Sequence, residues 1–224
     1  KKAGVTCCLK NLIGINGNKE YLPHHRKGAA DGGGDNYEHR HWLMSLLEQA
    51  LDGMNRHRNH PWLYRQGERV VWHLLSRRRR TDPGAQLEGS WYGNDTIWRT
   101  CLDLNRALLS ADTDGRMHDT PQRQELSIVD AIITWQGDGP LSPDPLATGA
   151  ILAAHNPAVG DFLGAHLLGF DPAKIALLRH AGEARRWRIC GTPPEVPEFS
   201  PPFPAARPPP GWRGHIEQER LPVS

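Results

Sequence analysis

The segment from Glu125 to Trp135 constrains the fold most strongly, because there the period of the hydrophobic pattern changes. Leu126, Ile128, Asp130 and Ile132 alternate with Ser127, Val129, Ala131 and Ile133, and both sets are largely apolar, which predicts a strand covered on both faces. Gly137-Asp138-Gly139-Pro140 ends it. A second short strand is expected over Gly149–Ala154, leading into Asn156-Pro157, a cap and first-turn proline for a helix reaching Leu168; Asp171-Pro172 repeats that start signal. Strand, crossover and helix in this order predict an α/β fold: one domain with a largely parallel or mixed sheet covered by helices.

Upstream, helical periodicity dominates. Val5 to Ile13 reads as a helix of two turns ending at Gly14. Asp35 and Glu38 have the spacing of a capping box ahead of Leu43, Leu46, Leu47, Ala50, Leu51 and Met54, an apolar helical stripe. A further helix is expected over Tyr64–Arg78. Another follows a cap at Asn94 or Asp95 and uses Ile97, Trp98, Cys101, Leu102, Leu108 and Leu109, with Asn105 on the same stripe as a core brace that needs hydrogen-bond partners. Between the first two helices, Gly17, Pro23, Gly28 and the run Gly32-Gly33-Gly34 mark a long functional loop. Half of the eighteen residues from Pro193 to Pro210 are proline, so residues 193–224 are expected to form an extended wrap or tail appended to an α/β domain over 1–192, without catalytic chemistry but available to dock a protein partner.

Composition narrows the function classes. Lys plus Arg is 27 against Asp plus Glu 25, a net charge of +2 that gives no global drive toward nucleic acid, and no apolar run is long enough for a membrane span. The cysteines Cys7, Cys8, Cys101 and Cys190 contain no C-x-x-C, which fits a reducing, cytoplasmic setting and leaves no local iron-sulfur or zinc-ribbon motif. The loop after Gly14 fails the phosphate-loop spacing, and His24-His25 and His39-x-His41 lack the H-E-x-x-H spacing of a zinc hydrolase.

Three stretches carry a family likeness: KKAGVTCCLKNLIGINGNKEYLPHHRKG with the following GGGD, GSWYGNDTIWRTCLDLNR, and SIVDAIITWQGDGPLSPDPLATGAILAAHNPAVGDFLGAHLLGF. Together, from Lys1 to about His180, they resemble the bacterial and archaeal family called domain of unknown function 362. The resemblance implies an uncharacterised protein, and a Lys-Thr-His segment of the family pattern would stand just before Lys1, so a fragment incomplete at its N-terminus is expected. Some members are fused to ferredoxin-like iron-sulfur modules, a cofactor that the cysteines of this chain do not match. The family pattern usually reads Asp-Gly-Ile and then an acidic residue before Gly-x-Gly-Pro; here Ala131 follows Asp130, and Gln136 stands at the acidic position. Asp130, Asp138 and Asp161 fall on matching positions.

Asp130, read as an inward carboxylate between Ile128 and Ile132, requires a partner: a metal, a ligand hydroxyl, an arginine or backbone N–H groups. With Asp138 and Asp161 it would make an oxygen-rich site for a divalent cation, although each of the latter two is also explained as an ordinary turn or first-turn acid. Lys10, Asn11, Lys19, His24 and Arg26 around the glycine-rich loop suit capture of a phosphate or carboxylate, and His25 suits general acid-base work beside Asp130. Trp91, Tyr92, Asn94, Asp95, Trp98 and Arg99 form a group able to wall a ring, and Arg77–Arg80 a cationic run at a helix end. The expectation is an enzyme acting on a small anion, either with a divalent metal held by the aspartates or without one. The alternatives are a non-catalytic anion-binding or accessory protein and a degenerate family copy.

Overall fold

The computed structural model describes residues 2–16, 22–56, 62, 65–67, 69–70, 73–74, 88–140, 142–183, 185–190, 201 and 203–219. The helix expected over Tyr64–Arg78, apart from scattered positions, and the run Arg77–Arg80 lie outside the described residues, as do Lys19 and residues 191–200.

The elements are α1 (Asn11–Ile15), α2 (Trp42–Arg56), α3 (Ile97–Ser110), β1 (Ser127–Asp138), β2 (Ser142–Ala154), α4 (Pro157–Leu167) and α5 (Ala176–Ala181). Helices and strands are thus mixed, as expected, but the sheet of named strands is a two-stranded antiparallel ribbon rather than a parallel or crossover arrangement. The reason is the connection: residues 139–141 suffice for a hairpin, whereas parallel neighbours need a crossover of a dozen or more residues. β2 is also longer than Gly149–Ala154, starting at Ser142. Pro143 and Pro145 are tolerated within it because, among the described residues, β2 has no second strand to which it must donate.

The core lies between the N-terminal segment, α3, α4, α5 and residues 206–216. Leu9, Ile97, Leu102, Ile175, Leu177, Leu178, Trp212 and Ile216 are fully or almost fully buried. The C-terminal stretch is therefore tied to the domain by core side chains and by main chain, with Ala206 N–H donating to Leu168 O at 2.9 Å. A smaller cluster of Ala29, Tyr37, Met44 and Leu47 seats α2 on the glycine-rich loop. No helix among the described residues is long and apolar enough to cross a membrane.

Start signals at the helices explain several bounds. Asn156 caps α4, accepting Ala158 N–H at 2.9 Å and Val159 N–H at 3.4 Å, with Pro157 in the first turn. Asn94 accepts the N–H groups of Thr96 and Ile97 at 3.0 and 3.1 Å at the start of α3. Asn105 braces the core from α3, donating to Leu9 O at 2.8 Å and Cys101 O at 2.7 Å.

Three local expectations are corrected. Helix α1 covers Asn11–Ile15, not Val5–Ile13: the β-branched Val5 and Thr6 favour helix weakly, and the N–H groups of Cys8 and Leu9 are taken by Asp161. Asp35 and Glu38 do not form a capping box, because α2 starts at Trp42; Asp35 is instead spent on the start of α3, and Glu38 is exposed beside His39. β1 is not covered on both faces: Ile128 is 67% exposed and Ile151, opposite Asp130, is 65% exposed.

Candidate functional site

A cavity of about 640 Å³ opens between the segment 4–10, the ribbon, the C-terminal half of α4 and the stretch around Arg207. That volume falls within the range of pockets that enclose small organic ligands. Its walls are chiefly apolar, with Val5, Val129, Ile133, Trp135, Leu152 and Phe170 among them; the polar groups are few and include Thr6, Lys10, Thr134, Gln136 and Arg207.

Lys10 is half-buried in this wall. Its Nζ donates to Thr6 Oγ1 at 3.3 Å, and no carboxylate among the described residues pairs with it. Burial lowers its ammonium pKa below the ordinary lysine value, partly opposed by the Cys101 thiol. The second cation, Arg207, is already engaged by Asp144, and its backbone N–H donates to Gln136 Oε1 at 3.0 Å. Gly137 N–H donates to Arg207 O at 2.9 Å, which fixes the C-terminal stretch along the end of β1.

What places Lys10 is a fully buried carboxylate on α4. Asp161 Oδ1 accepts Cys8 N–H and Leu9 N–H, and its Oδ2 is buried with no hydrogen-bond partner among the described residues. Burial pushes its pKa up to about 7, against the lowering effect of the two N–H donors; Glu125 adds to the rise. The neighbouring thiols are inert by the same physics. Burial and the Asp161 charge push Cys7 well above the usual thiol range and Cys8 to about 12, so neither is a thiolate at neutral pH. Gly160 and Gly164 on α4 make room for them: a Cβ at Gly160 would stand 2.6 Å from Cys8 Sγ, and one at Gly164 2.8 Å from Cys7 Sγ. None of the four cysteines forms a disulfide.

The other predicted site residues scatter. Asp130 borders the cavity, yet its side chain is exposed rather than buried, and of the partners left open for it the observed one is backbone: Oδ1 accepts Ile132 N–H at 3.0 Å. Asp138 closes β1 and Asp161 lies beneath the N-terminal segment. Among the described residues no group of three or more His, Cys, Asp or Glu side chains stands close enough to hold a metal ion. Asn11 is exposed at the start of α1, and His24 Nδ1 lies 2.8 Å from Leu22 O.

His25 and Arg26 belong to a separate polar cluster in the glycine-rich loop. Its centre is Asp35, 1% exposed, which accepts the N–H groups of Arg26 and, at 3.0 Å, Asp95, together with the Thr96 hydroxyl; the Arg26 guanidinium is 3.9 Å away. His25 Nδ1 is buried without a hydrogen-bond partner among the described residues, and burial together with the Lys2 charge lowers its pKa below the ordinary histidine value, with Asp35 and Glu88 opposing. The aromatic group around Trp91 is spent internally. Trp91 Nε1 donates to Asp35 O at 3.0 Å, Tyr92 stacks on His215, and Trp98 stacks on His180 with Arg99 on its ring.

Sequence reasoning did not find Arg207, Trp135 or Thr6 as cavity residues. The signals were weak: a lone cation inside a proline-rich run, an aromatic at the strand end before Gly137, and a hydroxyl one helical turn from Lys10.

No curated protein and no solved structure matches the chain. The model of one family, described as Domain of unknown function (DUF362), matches residues 1–166, about three quarters of the sequence and all of the cavity lining but Leu167, Leu168, Phe170, Arg207 and Pro209. The chain belongs to that family of unknown function.

Proposed function

We propose that the cavity binds a small organic anion with an apolar body, its acidic group held by Lys10. The observation that carries this reading is Lys10 itself, a desolvated ammonium in a chiefly apolar wall with a single hydroxyl as its partner. A buried cation without a counter-charge is costly, and a ligand carboxylate or phosphate would offset that cost through a charge-assisted hydrogen bond. Trp135, Ile133 and Phe170 would receive the apolar part.

Between the two function classes raised by the sequence, this arrangement favours binding over acid-base catalysis. Of the proposed catalytic and ligand-binding residues, Lys10 and Asp130 border the cavity, whereas His25, His24 and Arg26 do not. A metal-dependent reaction through Asp130, Asp138 and Asp161 finds no support in the described residues, because Asp161 is committed to Cys8 and Leu9.

The test uses 4-phenylbutyrate and its neutral amide as probes in calorimetric titrations. The carboxylate is expected to bind at least about tenfold tighter than the amide, and Lys10→Met to erase the difference, since a hydrogen bond to a charged group contributes about 1.5–3 kcal/mol. Equal affinity for the two probes, or a carboxylate preference that survives Lys10→Met in a folded variant, would refute the proposal.

A further inference from the structure

Along one side of the Lys10 cavity the ribbon ends in an open strand edge. Thr134 Oγ1 donates to Leu146 O, on the opposite residue of β2, at 3.1 Å, which fits main-chain groups of Thr134 that face β2. Strand alternation then turns those of Ile133, Trp135 and Gly137 away from β2. Gly137 shows this directly: its N–H donates to Arg207 O at 2.9 Å, outside the ribbon. Ile133 and Trp135 lie on the same edge, are exposed and line the cavity, and their main-chain groups have no partner beyond the ribbon among the described residues. Upstream, Asp130 Oδ1 takes Ile132 N–H at 3.0 Å, so the open stretch begins at Ile133.

The N-terminal wall of the cavity is unpaired main chain as well. Gly4, Val5, Thr6 and Cys7 line it. None of them makes a main-chain hydrogen bond to another described residue, although Gly4 and Val5 are buried. Buried main-chain groups almost always find partners. Two unpaired rows bordering one cavity match a third extended chain, which offers alternating donors and acceptors at the two-residue repeat of a strand. Arg207 already supplies such a partner at the end of the edge. The edge of a second sheet would meet the segment 4–7, whereas a single strand fits between the walls.

Charge defines the strand further. Lys10 stands in the same wall with Thr6 as its partner and no carboxylate among the described residues. We propose that the cavity receives an extended peptide segment of a partner protein, paired through its main chain with β1 at Ile133 and Trp135 and carrying an acidic side chain to Lys10. The acidic group rests on the anion reading of the cavity; the main-chain pairing rests on the open edge alone.

The probe is the peptide acetyl-Val-Thr-Ile-Thr-Glu-amide, titrated into the full chain while the backbone ¹⁵N–¹H resonances of Ile133 and Trp135 are followed. Both are expected to move downfield, and their hydrogen exchange to slow at least about tenfold, as new main-chain hydrogen bonds form. Two further copies, N-methylated on alternate amides of one parity each, keep every side chain and the charge. At least one of them should bind about tenfold more weakly. No binding of the parent peptide, equal binding of all three, or binding without protection at Ile133 and Trp135 would overturn the pairing. A copy with Gln in place of Glu, and Lys10→Met, should each weaken binding about tenfold. If neither does while the methylated copies and the exchange behave as expected, the anion reading falls and the pairing stands. If 4-phenylbutyrate binds through Lys10 and the peptide does not bind, the pairing falls and the anion reading stands.

Discussion

Replacing Asp35 by Ala is expected to destabilise the protein by about 3–5 kcal/mol, the cost of breaking a buried hydrogen-bonded charge. The substitution strands two backbone N–H groups, those of Arg26 and Asp95, and the Thr96 hydroxyl in a region from which water is largely excluded. It also removes one of the side-chain links between the glycine-rich loop and the start of α3, leaving Asn94, whose Nδ2 donates to His24 O at 2.9 Å, and Thr100, whose hydroxyl donates to Pro23 O at 2.8 Å. Asp35→Asn keeps one acceptor oxygen and should lose less. Urea unfolding midpoints measure both, and hydrogen exchange should show lost protection at the amides of residues 26 and 95 first. A cost within about 0.5 kcal/mol of zero for Asp35→Ala, the size expected of an ordinary surface change, would contradict this role.

Asp161 gives the second large effect, and it is pH-dependent. Its carboxyl is raised in the folded protein to about 7 by burial, from an unfolded value of about 3.9. The folded state therefore holds the proton more tightly than the unfolded chain. The resulting contribution to stability is fully present below about pH 4 and is lost as the pH rises through 7, on the order of 4 kcal/mol in all. Asp161→Asn stays neutral throughout and can still accept from Cys8 and Leu9 N–H. The stability gap between wild type and variant should therefore move in favour of the variant as the pH rises from 4 to 8. Unfolding midpoints of the two proteins across that range measure it; a gap independent of pH would show that Asp161 titrates as an ordinary exposed acid.

How far the sequence revealed these features follows from which of them are local. Asn156-Pro157, Asp171-Pro172 and the stripe from Leu43 to Met54 act within one or two turns of chain, and the helix starts follow them. Asn105 was legible as a brace because a polar group on an apolar stripe must find partners, whichever they are. Strand topology depends on what lies opposite, and two apolar faces on β1 suggested a covered sheet where a ribbon with an open face exists. Asp35 and Asp161 illustrate the same limit for side chains. Each was read by its nearest signal, a capping box for one and a first-turn acid or metal ligand for the other. Each instead serves a segment 60 or more residues away, the start of α3 for Asp35 and the stretch before α1 for Asp161. Lys10 was named among the ligand groups from loop composition, but the cavity around it is assembled from β1, α4 and residues near 207, which no local pattern brings together.

The account rests on Lys10 as a desolvated cation awaiting an anion, and its titration tests this most directly. Selective ¹⁵N labelling, with Lys10→Met used to assign the Nζ resonance, gives its pKa with and without 4-phenylbutyrate. The account predicts a value below the ordinary lysine range in the free protein and a rise toward that range when the probe binds. An ordinary value in the free protein, unmoved by the probe, would contradict it.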